Sequence, residues 1–401
     1  MGQEVAMKKV ISILISFTII ISLICCGCAN DEINGADSFS LQKDSQYTYD
    51  ESENIVLCEE LPCYGYIDLA ERVSDYGQYE ELNEKYNNRK TKINEILSSY
   101  RQASDNKDFM VADFKDGVCI VKYNGDDSKV IIPSELDGKK VLKLSGYIEK
   151  TELDDDTVYR YVGALDGKEI TEIYIPETIQ EIAFGFFTTY SDSLASDGKL
   201  EKIEVSENNT CFSSDEGLLF DKNKNVLLCV PENYSKNTIA VCDGVETVYE
   251  MMCKNTQHIV IPDSVTKITS LTENTYLEEN DWYSNGNSNG SLISIKVSED
   301  NMNYSSEGGV LYNKDKTELL IYPCSKKEKI YNVSDSVEKI ASIDGDNFKY
   351  LKKLTFGKNI SEINMHYYEI ESSSLQIIAG YKGTVAEKFA DKNNIKFIAL
   401  D

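Results

Sequence analysis

Two histidines in 401 residues leave little to build an active site from. They lie far apart, at His258 beside an apolar strand-like segment and at His366, with no carboxylate or cysteine at ligand spacing, so structural roles or plain exposure are the expectation for both. No CxxC pair, no Cys/His grouping of zinc spacing and no glycine-rich phosphate loop occurs. Metal, cofactor and catalytic sites are therefore expected to be absent, and the protein is expected not to be an enzyme. Positive charge is also scarce: 41 Lys and Arg stand against 68 Asp and Glu, a formal net charge of −27. Such a field repels phosphate, which disfavours nucleic acid and anionic lipid headgroups as partners.

Long apolar runs are missing as well, apart from one near the start. Lys8 and Lys9 precede a run from Val10 to Ile24 that is short against the roughly 20 residues a spanning helix needs. It reads as a secretory signal. The run ends in "CCGC", where small Gly27 precedes Cys28. This resembles the lipobox of bacterial lipoproteins, which implies that Cys28 carries the lipid anchor and that residues 1–27 are removed. The competing reading is an uncleaved N-terminal anchor, and both place the rest outside the cytoplasm. Residues 28–54 are polar and nearly free of aliphatic side chains, the composition of a disordered tether.

Eight further cysteines follow, at 58, 63, 119, 211, 229, 242, 253 and 324. Export makes disulfides chemically possible, and eight cysteines allow 105 pairings. Cys58 and Cys63 form the most local candidate pair, while Cys119 and Cys229 sit in apolar runs that suit small buried hydrophobes.

What the chain does have is repetition. "VSENNTCFSSDEGLLFDKNKNVLLCVP" from Val205 to Pro231 returns ninety-two residues later as "VSEDNMNYSSEGGVLYNKDKTELLIYP". From Leu200 to Pro231 fifteen of thirty-two positions are identical to their counterparts, where composition predicts roughly two. Each copy reads as strand, polar turn, strand, a β-hairpin.

A shorter rhythm runs through the same region. Six segments place apolar residues at positions 1, 3, 7 and 10: 173–182, 239–248, 259–268, 331–340, 354–363 and, with a longer turn, 130–144. That spacing predicts two short strands with inward side chains around a Pro, Asp or Gly turn. The starts are separated by 43, 66, 20, 72 and 23 residues, which fits whole numbers of turns of about 20 to 24 residues, the period of a solenoid.

The pattern "LxxIxIPxxVxxI" with "AF" in "EIAFGFF" (181–187), together with "GVLYNKDKTELLIYP" and the closing stretch 378–400, resembles the bacterial leucine-rich repeats of the BspA type. The likeness covers roughly residues 110–401, and "AF" is missing after Ile268 and Ile363. The resemblance implies a surface-exposed, non-enzymatic protein used in adhesion or recognition. The expected fold is mainly β: an irregular leucine-rich-repeat solenoid over 108–401 with two β-hairpin excursions, a small helical N-terminal region over 55–107 and a C-terminal helical cap. In the N-terminal region Leu82, Tyr86, Ile93, Ile96, Leu97 and Tyr100 form a helical stripe, expected to cover the open first turn. At the other end Thr384 and Glu387 have capping-box spacing, with Val385 and Phe389 on one face.

Between motifs the chain takes 26, 18, 8, 24 and 11 residues to reach the next turn, always at the same corner. Stacked turns would bring these variable segments to one edge. The segment 270–290 carries the only tryptophan, Trp282, with Tyr276 and Tyr283, as candidate ligand contacts. The competing reading folds these aromatics back onto the solenoid's side. "GNSNG" (286–290) spells a nucleophile elbow around Ser288 but lacks the strand and helix an elbow needs. Asp221, Asn223, Asn225 and Glu232 imitate a calcium loop, with Val226 where the loop requires Gly, so a hairpin turn is expected; Asp154, Asp155 and Asp156 read as a solvated bulge. The expected role is a non-catalytic scaffold for an extracellular or envelope protein or glycan. The alternative is a structural or accessory lipoprotein that organises an envelope partner, with residues 55–105 as the contact.

Overall fold

A computed structural model describes residues 65–66, 91–153, 156–183, 186–187, 198–249, 255–268, 291–341, 348–364 and 374–400. Residues 1–27, expected to be a signal, Cys28, residues 29–54, expected to be a tether, Cys58, Cys63, Cys253, His366 and the 270–290 segment with Tyr276, Trp282, Ser288 and Tyr283 lie outside them.

Each ten-residue motif contributes one strand to each of two parallel ladders. The first ladder runs through Lys129–Ile131, Glu172–Ile175 and Lys202–Val205, then Thr238–Ala240, His258–Ile261 and Ser294–Val297, then Ile330–Asn332, Lys353–Thr355, Ile377–Gly380 and Lys396–Ala399. The second holds Lys139–Leu144 with Glu181–Ile182, then Val226–Cys229, Thr247–Val248 and Lys267–Ile268, then Glu318–Ile321, Lys339–Ile340 and Glu362–Ile363. Pairing is parallel and in register from turn to turn, as in Ile239 opposite Ile259 opposite Ile295. Apolar side chains at the motif positions point between the ladders: Ile259, Ile261, Val265 and Ile268 of one turn are all buried. A single turn leaves those groups open on both sides, so only stacking removes them from water.

The hairpins do more than interrupt this frame. Strands Phe212–Asp215, Leu218–Asp221 and Val226–Cys229 form an antiparallel meander whose last strand is itself the first rung of a second-ladder sheet. At the opposite end the Gly217 carbonyl accepts the N–H of Ile203 at 3.0 Å, which ties the hairpin to the first ladder. The hairpin therefore crosses from one ladder to the other and divides the core. Leu218 and Phe220 pack into the cluster that follows it, and Phe212 and Leu219 into the one before. The second copy repeats the division: Leu311 faces back, and Val310 and Tyr312 face forward. A strand buried on both sides has no polar face, which is why "GLLF" and "GVLY" read as unbroken apolar runs.

A third such hairpin, Phe109–Phe114 with Gly117–Tyr123, stands at the N-terminal end. Val118, Ile120 and Tyr123 enter the first core cluster, while Cys119 and Val121 enter a smaller one with Phe114 and Leu142. This hairpin closes the first turn, and of the stripe expected to do so Tyr100 packs on the hairpin's outer cluster. Helix α1 (residues 91–99) packs elsewhere: Ile93, Ile96 and Leu97 meet Ile148 and Tyr159 of a separate hairpin, Tyr147–Leu153 with Asp156–Val162. Gly65–Tyr66 pairs antiparallel with the same hairpin at Tyr161 and Arg160. Tyr100 follows the helix, accepts the Ile148 N–H at 3.2 Å, and has its hydroxyl pKa pushed up to about 12 by burial. The 26-residue excursion after Leu144 thus forms a side lobe with α1. The solenoid sheet itself begins at Arg101–Gln102, inside the region read as helical.

At the other end, helix α2 (Val385–Lys392) lays Val385, Ala386, Phe389 and Ala390 on the last core cluster. Its start departs from a capping box. Glu387 accepts the N–H of Gly383 at 2.6 Å, and the Thr384 hydroxyl donates back to the Tyr381 carbonyl at 2.7 Å. The glutamate satisfies an N–H one residue earlier than the motif requires, because the turn at Gly383 (φ 78°) brings that group into reach.

Candidate recognition edge

The last apolar residue of each motif marks where the segment to the next turn departs. Those residues are in register: Ile182 lies opposite Leu144, Ile268 opposite Val248, and Ile363 opposite Ile340. The returns are in register too. The N–H of Glu201 bonds the Thr171 carbonyl, Ile293 bonds Gln257, and Gln376 bonds Lys352, at 2.8 to 3.0 Å. Segments of unequal length therefore leave and rejoin the frame at one corner.

The other corner, the Pro turn that joins the two strands of one motif, is held by a pair of buried side chains. Asn209 is 1 % exposed and makes four hydrogen bonds. Its amide donates to the carbonyls of Pro176 (2.8 Å) and Ile179 (3.0 Å) in the previous turn, and its oxygen accepts the N–H groups of Cys211 and Phe212 at 2.8 Å each. Asn301, 0 % exposed, does the same ninety-two residues on: to Pro262 (2.8 Å) and Val265 (2.9 Å), and from Asn303 (2.9 Å) and Tyr304 (2.7 Å). Each clamp locks a hairpin's entry to the Pro turn beneath it. The available signal was identity: this Asn survives in both copies between neighbours that changed.

The remaining polar candidates are also absorbed by the frame. Asp221 accepts the Val226 N–H at 2.7 Å across a turn in which Lys224 has φ 58°, so the calcium-like stretch is a hairpin turn. His258 meets the Ser294 hydroxyl at 2.8 Å on the first ladder. Leu153 pairs with Asp156 at the end of the side-lobe hairpin, and Asp154 and Asp155 fall outside the described residues. Cys119, Cys211 and Cys242 are free thiols; Cys119 and Cys324 are buried, and Cys229 is half-buried. Burial pushes the Cys119 thiol up to about 12 and raises Cys242 and Cys324, which keeps all three protonated and poorly nucleophilic. Among the described residues no three His, Cys, Asp or Glu side chains converge on a point where a metal ion could sit. No described helix is long and apolar enough to cross a membrane.

The ladders, partitions and corner define the class: a mainly β, leucine-rich-repeat solenoid. No protein-family model matches the chain, and no curated protein matches its sequence significantly. Solved structures do. The pneumococcal vaccine antigen PcpA is 17 % identical, with 70 % of this chain and 72 % of that chain covered and a TM-score of 0.34. A leucine-rich repeat protein from Eubacterium ventriosum is 16 % identical over 71 % and 73 %, with a TM-score of 0.37. A leucine-rich cell surface protein from Faecalibacterium prausnitzii is 13 % identical over 75 % and 95 %, with a TM-score of 0.32.

Proposed function

We propose that this chain is a non-catalytic recognition scaffold, held on the outer side of a bacterial membrane by a lipid on Cys28, that binds an extracellular or envelope protein or glycan through its variable corner. The observation that carries the reading is the register of the departure points. A stacked, hydrogen-bonded frame presents segments of unrelated length along one edge, the arrangement that lets loops vary without cost to the fold. The aromatic-rich segment with Tyr276, Trp282 and Tyr283 is the assigned contact. The test is capture from host-surface glycoproteins and envelope extract by the soluble protein from residue 55 onward, with and without residues 270–290. Loss of a specific partner on deletion, with an unchanged melting curve, supports the reading; undiminished capture overturns the assignment of the contact.

A second reading, an accessory lipoprotein that organises an envelope partner, draws on the side lobe. The packing of α1 on the hairpin from Tyr147 to Val162 and the pairing of Gly65–Tyr66 with it make a lobe that meets the repeats through Tyr100 and Tyr147. Under that reading Ile96→Asp removes an envelope partner while deletion of 270–290 does not.

A further inference from the structure

The net charge of −27 is not spread evenly. Residues 325–400 hold twelve lysines against ten carboxylate side chains, so the acidity lies in the rest of the chain. The difference is visible on one row of the first ladder. In the first sheet the outward row reads Lys129, Glu172, Lys202, and Lys129 pairs with Glu172 at 2.7 Å. In the second it reads Thr238, His258, Ser294, without formal charge. In the third it reads Ile330, Lys353, Ile377, Lys396, one residue from each of four adjacent strands in register. No carboxylate stands in this row, and neither Lys353 nor Lys396 is in an ion pair among the described residues. Ile330 is 59 % exposed, a large apolar side chain left in water. Lys329 and Lys352 stand exposed beside the row's leading end, joined by a hydrogen bond from the Lys352 N–H to the Lys329 carbonyl.

The geometry points to a binding site for an acidic polysaccharide of alternating type, in which one sugar of each pair carries a carboxylate. Lys353 and Lys396 are two strands apart, about 9 to 10 Å at the inter-strand spacing of a sheet. Ile377 fills the interval and Ile330 the position before it. A chain laid across the strands would meet cation and apolar surface in alternation, matching a polymer that alternates a uronate with an uncharged ring. The four residues share one register, so they form a continuous row that an extended ligand can follow. The acidic remainder of the molecule repels such a polymer elsewhere and confines it to this sheet. The assignment rests on the chain being a recognition scaffold, but names a face and a ligand class independent of the 270–290 segment.

The probe is a hyaluronan decasaccharide, titrated calorimetrically at low and physiological salt against the soluble protein from residue 55 onward. Binding is expected, weakening with added salt as surface charge pairs are screened, and weakening about tenfold or more in the double variant Lys353→Glu, Lys396→Glu, whose two surface charges change sign. Ile330→Ser should weaken it by a smaller factor, and Lys129→Glu with Lys202→Glu should leave it unchanged. Thermal melts of each variant separate lost binding from lost folding. Absence of binding at low salt overturns the proposal, as does binding indifferent to Lys353 and Lys396. Equal, lysine-dependent binding to phosphatidylglycerol vesicles also overturns it, since the face would then be reading a lipid surface. Deletion of 270–290 leaves this binding intact if the two sites are separate, so the failure of one assignment does not disguise itself as failure of the other.

Discussion

Between Leu200–Pro231 and Leu292–Pro323 seventeen of thirty-two positions differ, yet the backbone of the two hairpins is tied down by the same bonds. Val205 and Val297 each donate to a serine hydroxyl, Ser214 at 2.9 Å and Ser306 at 3.0 Å. Ile203 and Ile295 each donate to a glycine carbonyl, Gly217 and Gly309. Where the copies part, they do so in compensated sets. Tyr234 in the first copy, beside the Lys236–Glu216 pair (2.5 Å), is answered by Lys326 in the second. There Glu328 replaces Lys236 and Gly308 replaces Glu216, and Lys326 pairs with Glu328 at 2.9 Å while donating to the Gly308 carbonyl at 2.6 Å. The charge has moved to the other partner. The lesson is that the partition hairpin constrains backbone partners tightly and side-chain charge loosely.

The comparison can be broken most forcefully at the clamps. Asn209→Ala leaves two carbonyls and two N–H groups without their buried partner, Asn301→Ala three carbonyls, one of them at 3.5 Å, and two N–H groups, and each should cost about 3 kcal/mol or more. Urea unfolding of the two variants should give similar losses; a cost in one copy alone would mean the hairpins are not equivalent parts. Next come the glycines that pass close to the first ladder. Gly217 (φ 90°) and Gly309 (φ 84°) both occupy the left-handed region. A Cβ at Gly309 would sit 2.8 Å from Ser294 Cβ and 3.2 Å from its Cα, whereas one at Gly217 would meet the movable Lys202 Cγ at 3.0 Å. Alanine at either should cost about 1 to 2 kcal/mol, with Gly309→Ala the larger, read as a drop in Tm.

A sharper contrast lies at Tyr304, whose hydroxyl accepts the N–H of Ile268 at 3.0 Å, where the first copy has Phe212. Tyr304→Phe strands a backbone donor at the edge of its sheet and should cost about 1 kcal/mol. Phe212→Tyr should bring no matching gain in Tm. The smallest effects belong to the hairpin-tip ion pairs, Lys224 with Asp215 (2.6 Å) and Lys316 with Glu307 (2.9 Å). Asp215→Asn and Glu307→Gln should each move stability by no more than about 0.5 kcal/mol, within reach of denaturant titration at low salt.

Much of the frame was legible from spacing. The five ten-residue segments and the longer 130–144 each form the two short strands their apolar positions demand, and both copied segments form hairpins. The third hairpin at Phe109–Tyr123 went unread because it shares the shape of the others and almost none of their residues. The helix over 91–99 was placed correctly in the chain and wrongly in space, since an apolar stripe states that something must cover it without saying what. Asn209 and Asn301 were in plain sight within the duplicated stretch, but an asparagine in a polar turn looks solvated until the carbonyls of Pro176 and Pro262 are found beneath it. The corner from which the variable segments leave was legible as a set of lengths. That they leave from registered positions needed the ladders.

Periodicity, by itself, determined that this chain coils, how many residues each turn takes and which side chains turn inward, because burying an apolar face at a fixed interval admits few shapes. Which turn lies against which, where the core is partitioned, and which lysines end up in a row without a carboxylate were decided only when distant turns stacked. Those properties depend on neighbours twenty to ninety residues away, and local spacing carries no record of them.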